Sequence, residues 1–205
     1  MTKLRSPSKQ RILDVAFEHF VLNGYEGASL AAIAETVGIR KASIYTHFKS
    51  KDALFLELLQ DALEIECEYL KNCFGTNVQG KLSGKFYLSG EHYLPGEFYL
   101  GEVKSRYENA VTAKFLTRIA YVPPSHLIEQ VTTTYQSYLE QLIKLYQIEL
   151  FEKVCTANDR QLYTDAYLGI LDSLSVELLY DGRMYERRLH AMLYLYKQSM
   201  QMNKR

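Results

Sequence analysis

The chain has no tryptophan, four prolines and three cysteines in 205 residues. Each scarcity excludes something. Three cysteines (Cys67, Cys73, Cys155) are odd in number and form no CxxC or zinc-ligand spacing, so they read as reduced thiols, not as a disulfide framework or metal site. No apolar run reaches the ~18 residues that span a bilayer. The first ten residues, MTKLRSPSKQ, are polar and basic with no hydrophobic stretch behind them, unlike a secretion signal. These features predict a cytoplasmic chain with no membrane association. There is no net charge either, with 24 basic and 24 acidic residues. What is abundant is apolar surface, 47% of residues, and tyrosine, which occurs 17 times. That is ample for a buried core, and long stretches rich in Leu, Glu, Lys, Ala and Gln favour an all-α fold.

The zero net charge conceals an asymmetry. Up to Lys51 the basic residues Lys3, Arg5, Lys9, Arg11, Arg40, Lys41, Lys49 and Lys51 face only Asp14, Glu18, Glu26 and Glu35. A basic head on a mildly acidic body suits a molecule that meets phosphate at one end.

Periodicity predicts about nine helices. The first starts near Ser6 or Ser8, buries Ile12, Val15, Ala16 and Phe20, and stops at Asn23-Gly24. Ser29 caps a short second helix through Val37, and Gly38 supplies a left-handed stop. A third short helix spans Arg40 to Phe48, with Ile44 and Phe48 inward, and a fourth, with Ser50 as its cap, runs from Asp52 to about Cys73. Residues 80–101 form a six-residue near-repeat, with Gly84, Gly90 and Gly96 each three residues before Tyr87, Tyr93 and Tyr99. A broken helix, a small meander and a loop all remain open there. Helix resumes from about Glu102 to Tyr121, ahead of Pro123-Pro124. The next is capped by Ser125, and the last two, 160–180 and 184–202, are split by Asp181-Gly182, with Asn158 or Asp159 capping the first of them.

Two short helices around a Gly turn, behind a longer helix and a basic tail, make a helix-turn-helix arrangement. Ala31, Ala32 and Ala34 permit close approach, and Ile33, Val37, Ile39, Ile44 and Phe48 form a compact core. Arg40, Lys41, Ser43, Tyr45, Thr46 and His47 are left outside as donors and an aromatic ring, the groups that reach phosphates and base edges. On periodicity alone, a helical hairpin with a solvated face fits equally well.

The run GYEGASLAAIAETVGIRKASIYTHFKSKDAL separates these readings. It resembles the signature of the tetracycline-repressor (TetR) family through Gly24, Tyr25, Ile33, Ala34, Gly38, Ile44, Tyr45, His47, Phe48, Ser50 and Lys51. The segment Lys114 to Leu127, KFLTRIAYVPPSHL, also resembles one found in some members. The chain departs from the pattern at Arg40, where Ser or Thr is usual, and at Ala42, where Gly is frequent, so no operator sequence carries over. The resemblance implies a helix-turn-helix head (1–51) and a larger helical body (52–205) for ligand binding and dimerisation. It implies phosphate contacts from Tyr45, His47 and Lys51, base-edge contacts from Lys41, Ser43 and Thr46, and flanking contacts from Lys3 and Arg5. His47 packing beside Phe48, or Lys51 as a solvated capping-turn lysine, are the plainer alternatives.

It further implies a homodimer paired through the last two helices, where Gly169, Leu171, Ser173, Leu174, Leu178, Leu189, Leu193, Tyr196 and Met200 supply small and apolar surface. Packing within one protomer is the alternative for these. A small apolar or aromatic effector would meet Tyr107, Phe115, Arg118, Tyr121, Tyr135, Tyr138 and Tyr167, which could instead be plain core; Arg106, Arg118 and His126 could meet an anionic group. The partners implied are a palindromic double-stranded operator and that effector, with no cofactor and no metal. No GxSxG, P-loop, GxGxxG or HExxH motif supports an enzyme. A helical adaptor that binds protein is the remaining rival to a DNA-binding regulator.

Overall fold

The computed structural model describes residues 5–74, 94–151 and 156–202. Lys3, Cys155 and the part of the near-repeat through residue 93 lie outside them. Among the described residues there are nine α-helices and no strands: α1 (Pro7–Gly27), α2 (Leu30–Val37), α3 (Lys41–Ile44), α4 (Lys51–Cys73), α5 (Glu97–Asn109), α6 (Val111–Tyr121), α7 (Ile128–Phe151), α8 (Ala157–Leu179) and α9 (Tyr185–Met202). No described helix is long and apolar enough to cross a membrane.

The sequence accounts for most helix ends. Ser6 caps α1 by accepting from Lys9 N, and helical geometry breaks at Gly24. Ser29 caps α2 through Ala32 N at 3.1 Å. Gly38 then closes α2 at φ +81°, its N–H donating to the carbonyls of Ala34 and Glu35; a residue with a Cβ would be strained there. Four boundaries differ from expectation. Thr156, not Asn158 or Asp159, caps α8 by accepting from Asp159 N. The expected Glu102–Tyr121 helix begins at Glu97, so the last Phe-Tyr-Leu of the near-repeat is helical. It is also interrupted at Ala110, whose extended backbone (φ −113°, ψ 114°) separates α5 from α6. The expected third helix is one turn, Lys41–Ile44, extended to Phe48 by turns.

Compactness divides the chain into two units, Met1–Ile65 with Ala110–Gln136, and Glu66–Asn109 with Ser137–Arg205. The helices α4 and α7 each contribute to both. In the first unit Ile12, Leu13, Ala16, Phe20, Ile33, Ile44, Leu54, Phe55, Leu59 and Phe115 form the core. Phe55 is its hub, meeting Phe20 edge-on at 5.2 Å, Tyr25 at 5.1 Å and Phe115 at 5.6 Å.

The second unit has a core of tyrosines. Tyr99, Tyr138, Tyr146, Tyr163, Tyr167, Tyr185 and Tyr196 are all buried, so each hydroxyl needs a partner. Tyr99 and Tyr138 share a hydrogen bond of 2.7 Å, Tyr146 pairs with Tyr196, and Tyr163 with Ser199 at 2.8 Å. Tyr167 and Tyr185 donate to the carbonyls of Gly96 and Leu100, each at 3.1 Å, tying α8 and α9 to the start of α5. Glu149 on α7 accepts from Gly96 N at 2.9 Å. The start of α5, with the turn before it, is thus held by three helices.

Candidate nucleic-acid interface

The reading segment follows from which side chains the first unit buries. Ile44 is 0% and Phe48 3% exposed, so the one-turn α3 is pinned by its inner side. Arg40, Lys41, Ala42, Tyr45 and Thr46 consequently face solvent, while Ser43 and His47 are half-buried. Arg40 makes no side-chain cap, which leaves its guanidinium outside; backbone bonds from Ser43 N to Arg40 O and from His47 N to Ile44 O hold the turn. Thr46 returns its hydroxyl to Ser43 O at 2.8 Å.

Three other expected contacts are partly engaged within the unit. The ring of His47 lies beside Phe48 and shares a long 3.4 Å hydrogen bond with Ser8 at the start of α1. Lys51 places its ammonium 4.1 Å over the Tyr25 ring. Arg5 departs furthest from expectation. Its side chain is 11% exposed and its guanidinium pairs with Asp61 at 2.7 Å and Glu57 at 3.0 Å, with Lys9 joining Glu57 at 2.9 Å. The Asp61 hydrogen bond raises its pKa further, so the charge is fixed and already neutralised by α4. Arg5 therefore anchors α1 to α4 and does not project as a free flanking cation. Lys49, exposed next to Phe48, was not singled out in the sequence reading; its flank of the reading segment is the only signal that could have done so.

Tyr25, matched in the signature as a turn aromatic, has a further task. It donates to Asp52 in the first turn of α4, and the His126 ring stands edge-on to it at 5.2 Å. The Tyr25 hydrogen bond holds the Asp52 carboxyl below the usual range, while burial and Asp52 push the Tyr25 phenol up.

The expected effector residues divide between the two units. Phe115 belongs to the first unit's core, and Arg118 donates to Val21 O within the same unit. Tyr121 and Tyr135 are half-buried there. Tyr107, half-buried, and Tyr138 and Tyr167 belong to the second unit. Tyr167 is 0% exposed and stacks on Tyr146 at 4.1 Å, so ring packing, and not open space, surrounds it. Its phenol, like those of Tyr99, Tyr146, Tyr185 and Tyr196, is pushed up by burial.

The expected dimer residues also divide. Leu174, Leu178, Leu189, Tyr196 and Met200 are buried within a single protomer. Helical spacing alone could not distinguish the inner stripe of α8 and α9 from the outer one. Gly169 is exposed with nothing within 4 Å of where a Cβ would stand, Leu171, Ser173 and Leu193 are half-buried, and Leu162, Tyr194 and Leu195 are exposed. Among the described residues no cluster of three or more His, Cys, Asp or Glu could hold a metal.

A chain whose described residues are helical and whose capped helix, Gly turn and one-turn α3 stand on a tight aliphatic core has a helix-turn-helix head. Residues 12–58 match the family described as "Bacterial regulatory proteins, tetR family". The HTH-type transcriptional regulator AcrR of Shigella flexneri is 39% identical over 66 residues, covering 30% of this chain and 31% of that protein. The negative transcriptional regulator IcaR of the biofilm operon icaADBC, from Staphylococcus aureus (strain Newman), is 36% identical over 69 residues, 34% of this chain and 35% of that one. The chain thus matches about a third of the length of these curated relatives. The fold extends further. The fatty acid degradation regulator FadR from Bacillus halodurans superposes with a TM-score of 0.66 at 19% identity over 97% of this chain and 96% of that one. FadR from Bacillus subtilis in complex with stearoyl-CoA does so at 0.61 and 16% identity, over 89% and 96%.

Proposed function

We propose that the chain is a sequence-specific DNA-binding transcriptional regulator, a homodimeric repressor released from its operator by a small apolar or aromatic effector. The head, 1–51, reads DNA, and the body, 52–205, pairs the protomers and takes the effector. The observation that carries the reading is the sidedness of the reading segment: Ile44 and Phe48 are inside, and Arg40, Lys41, Tyr45 and Thr46 are outside. Such a side presents cationic and hydroxyl donors to a major groove, with Lys49, Lys51 and His47 toward the phosphates.

One reading segment covers few base pairs, so specificity calls for two, presented by a dimer on a palindromic site. Support for the pairing surface comes from the outer side of α8 and α9, where Leu162, Gly169, Tyr194 and Leu195 are exposed. The helix α4 starts two residues after Lys49 and supplies Lys51–Ile65 to one unit and Glu66–Cys73 to the other. An effector that favours one setting of α4 would alter operator affinity, provided it binds the two settings unequally. Regulation without catalysis, in the cytoplasm, accords with the relatives being named transcriptional regulators.

Fluorescence anisotropy with DNA from upstream of the chain's own gene, titrated at several salt concentrations, tests the proposal. Nanomolar binding that weakens steeply with salt and exceeds binding to scrambled DNA is expected. Binding that does not distinguish the two DNAs would leave the protein-binding adaptor as the better reading.

A further inference from the structure

We infer that Tyr25 is a positioning residue for DNA binding: its ring holds the Lys51 ammonium ready for a backbone phosphate. The inference rests on the proposed DNA-binding regulator and deepens it, because Tyr25 acts through Lys51 and not by its own contact.

The ring is fixed on several sides. Helical geometry breaks at Gly24 (φ +69°), and Tyr25 then lies in the first unit's aromatic core, stacked on Phe20 at 6.0 Å and edge-on to Phe55 at 5.1 Å. Its hydroxyl donates to Asp52, and the His126 ring stands edge-on at 5.2 Å. Lys51, the first residue of α4, sets its ammonium 4.1 Å over the face of that ring.

The charge so placed is still available. Asp52, the carboxylate next in the chain, accepts from Tyr25 and lies 3.4 Å from His126, and among the described residues no carboxylate forms an ion pair with Lys51. Lys51 follows the reading segment directly, close in sequence to Lys49 and His47. An ammonium carries three donors, and an aromatic face takes up one side of it, which leaves the rest for an oxygen. A loose lysine stem loses rotamer freedom when it meets a phosphate. A stem already laid across a fixed ring has lost that freedom before DNA arrives, so less of the binding energy is spent on ordering it.

A double-mutant cycle of Tyr25→Leu with Lys51→Ala tests the inference in the full-length chain, read by fluorescence anisotropy on upstream and scrambled DNA. Loss of the ring should weaken binding about two- to fivefold while Lys51 is present and cause no further loss in the Lys51→Ala background. Tyr25→Phe, which keeps the ring, should restore the affinity. Pentafluorophenylalanine at position 25 keeps the ring's packing but reverses its quadrupole, so it reads the cation contact even where Tyr25→Leu does not fold; it should show the same loss. Without DNA, the ring current should move the Lys51 ε-methylene proton resonances upfield in the wild-type chain and in Tyr25→Phe, but not in Tyr25→Leu. An equal loss in both Lys51 backgrounds, full affinity with the fluorinated ring, or no upfield resonance overturns the assignment. The regulator reading fails separately, when the wild-type chain binds the two DNAs alike; a phosphate contact, and with it the cycle, is read on either DNA.

Discussion

Replacing Gly96 by alanine should be among the most damaging single-methyl additions in the chain. Gly96 has φ +72°, and a Cβ built on it would lie 2.3 Å from Tyr167 Cε2, 2.5 Å from Cζ and 2.6 Å from the hydroxyl oxygen. The left-handed backbone costs a residue with a Cβ about 1–2 kcal/mol. Tyr167 is fully buried and stacked on Tyr146, so it has nowhere to retreat, and overpacking of this kind costs about 1–3 kcal/mol. Moving the ring also breaks its hydrogen bond to Gly96 O, worth about 1–3 kcal/mol where a buried group is left unpaired. The total, about 3–8 kcal/mol, is a large part of the ~5–15 kcal/mol that holds a typical domain together. At roughly 2–4 °C per kcal/mol for a chain of this size, the melting temperature should fall by roughly 6–32 °C. Urea unfolding followed by circular dichroism at fixed protein concentration measures the loss. A double-mutant cycle then isolates its cause. In a Tyr167→Leu background the steric and hydrogen-bond parts disappear, and Gly96→Ala should cost only the backbone's ~1–2 kcal/mol. A Gly96→Ala chain as stable as wild type, or an equal loss in both backgrounds, would refute the reasoning.

Lys41→Ala should either reduce the slope of log affinity against log salt by about one or lose ~1–3 kcal/mol of discrimination between base sequences, as measured by the anisotropy titration; unchanged binding removes Lys41 from the interface. Because Asp52 is held below the usual carboxylate range by Tyr25, its contribution to stability is complete above pH ~4 and is lost as pH falls through the lowered value. Tyr25→Phe should therefore flatten the acid limb of a stability-against-pH curve, and an identical limb in both proteins would exclude the contact. The buried phenols run the other way: raised pKa values stabilise the fold fully below pH ~10 and progressively less above it. In an absorbance titration of phenolate, Tyr99, Tyr146, Tyr167, Tyr185 and Tyr196 should ionise only as the chain unfolds; phenolate formation complete for all 17 tyrosines before circular dichroism reports unfolding would contradict the core described.

The head was legible because its rules are local. Ser29 as a cap, Gly38 as a stop and Ile44 with Phe48 as inner residues follow from spacing over a few residues, and each is found where expected. Arg5 was misread because its partners, Glu57 and Asp61, lie more than fifty positions away, and no local pattern announces an ion pair across that distance. The body was less legible for a related reason. On α8 and α9 both the inner and outer stripes are apolar, so Leu174 and Leu195 look alike until packing assigns one to the core and the other to solvent. The tyrosines posed a third difficulty. A phenol can line a cavity or fill one, and the choice depends on whether another element, here the turn at Gly96 or the Leu100 carbonyl, reaches its hydroxyl.

The brevity of α3 has an evolutionary corollary. With one helical turn and no side-chain cap, the segment draws its shape from two inward anchors and a handful of main-chain bonds. Its outward positions thus owe almost nothing to folding, and mutation can rewrite them without endangering the scaffold. On the proposed function, duplicated copies of such a gene could acquire new target sequences by drift at Arg40, Lys41, Ala42, Tyr45 and Thr46 alone, each intermediate remaining a stable protein.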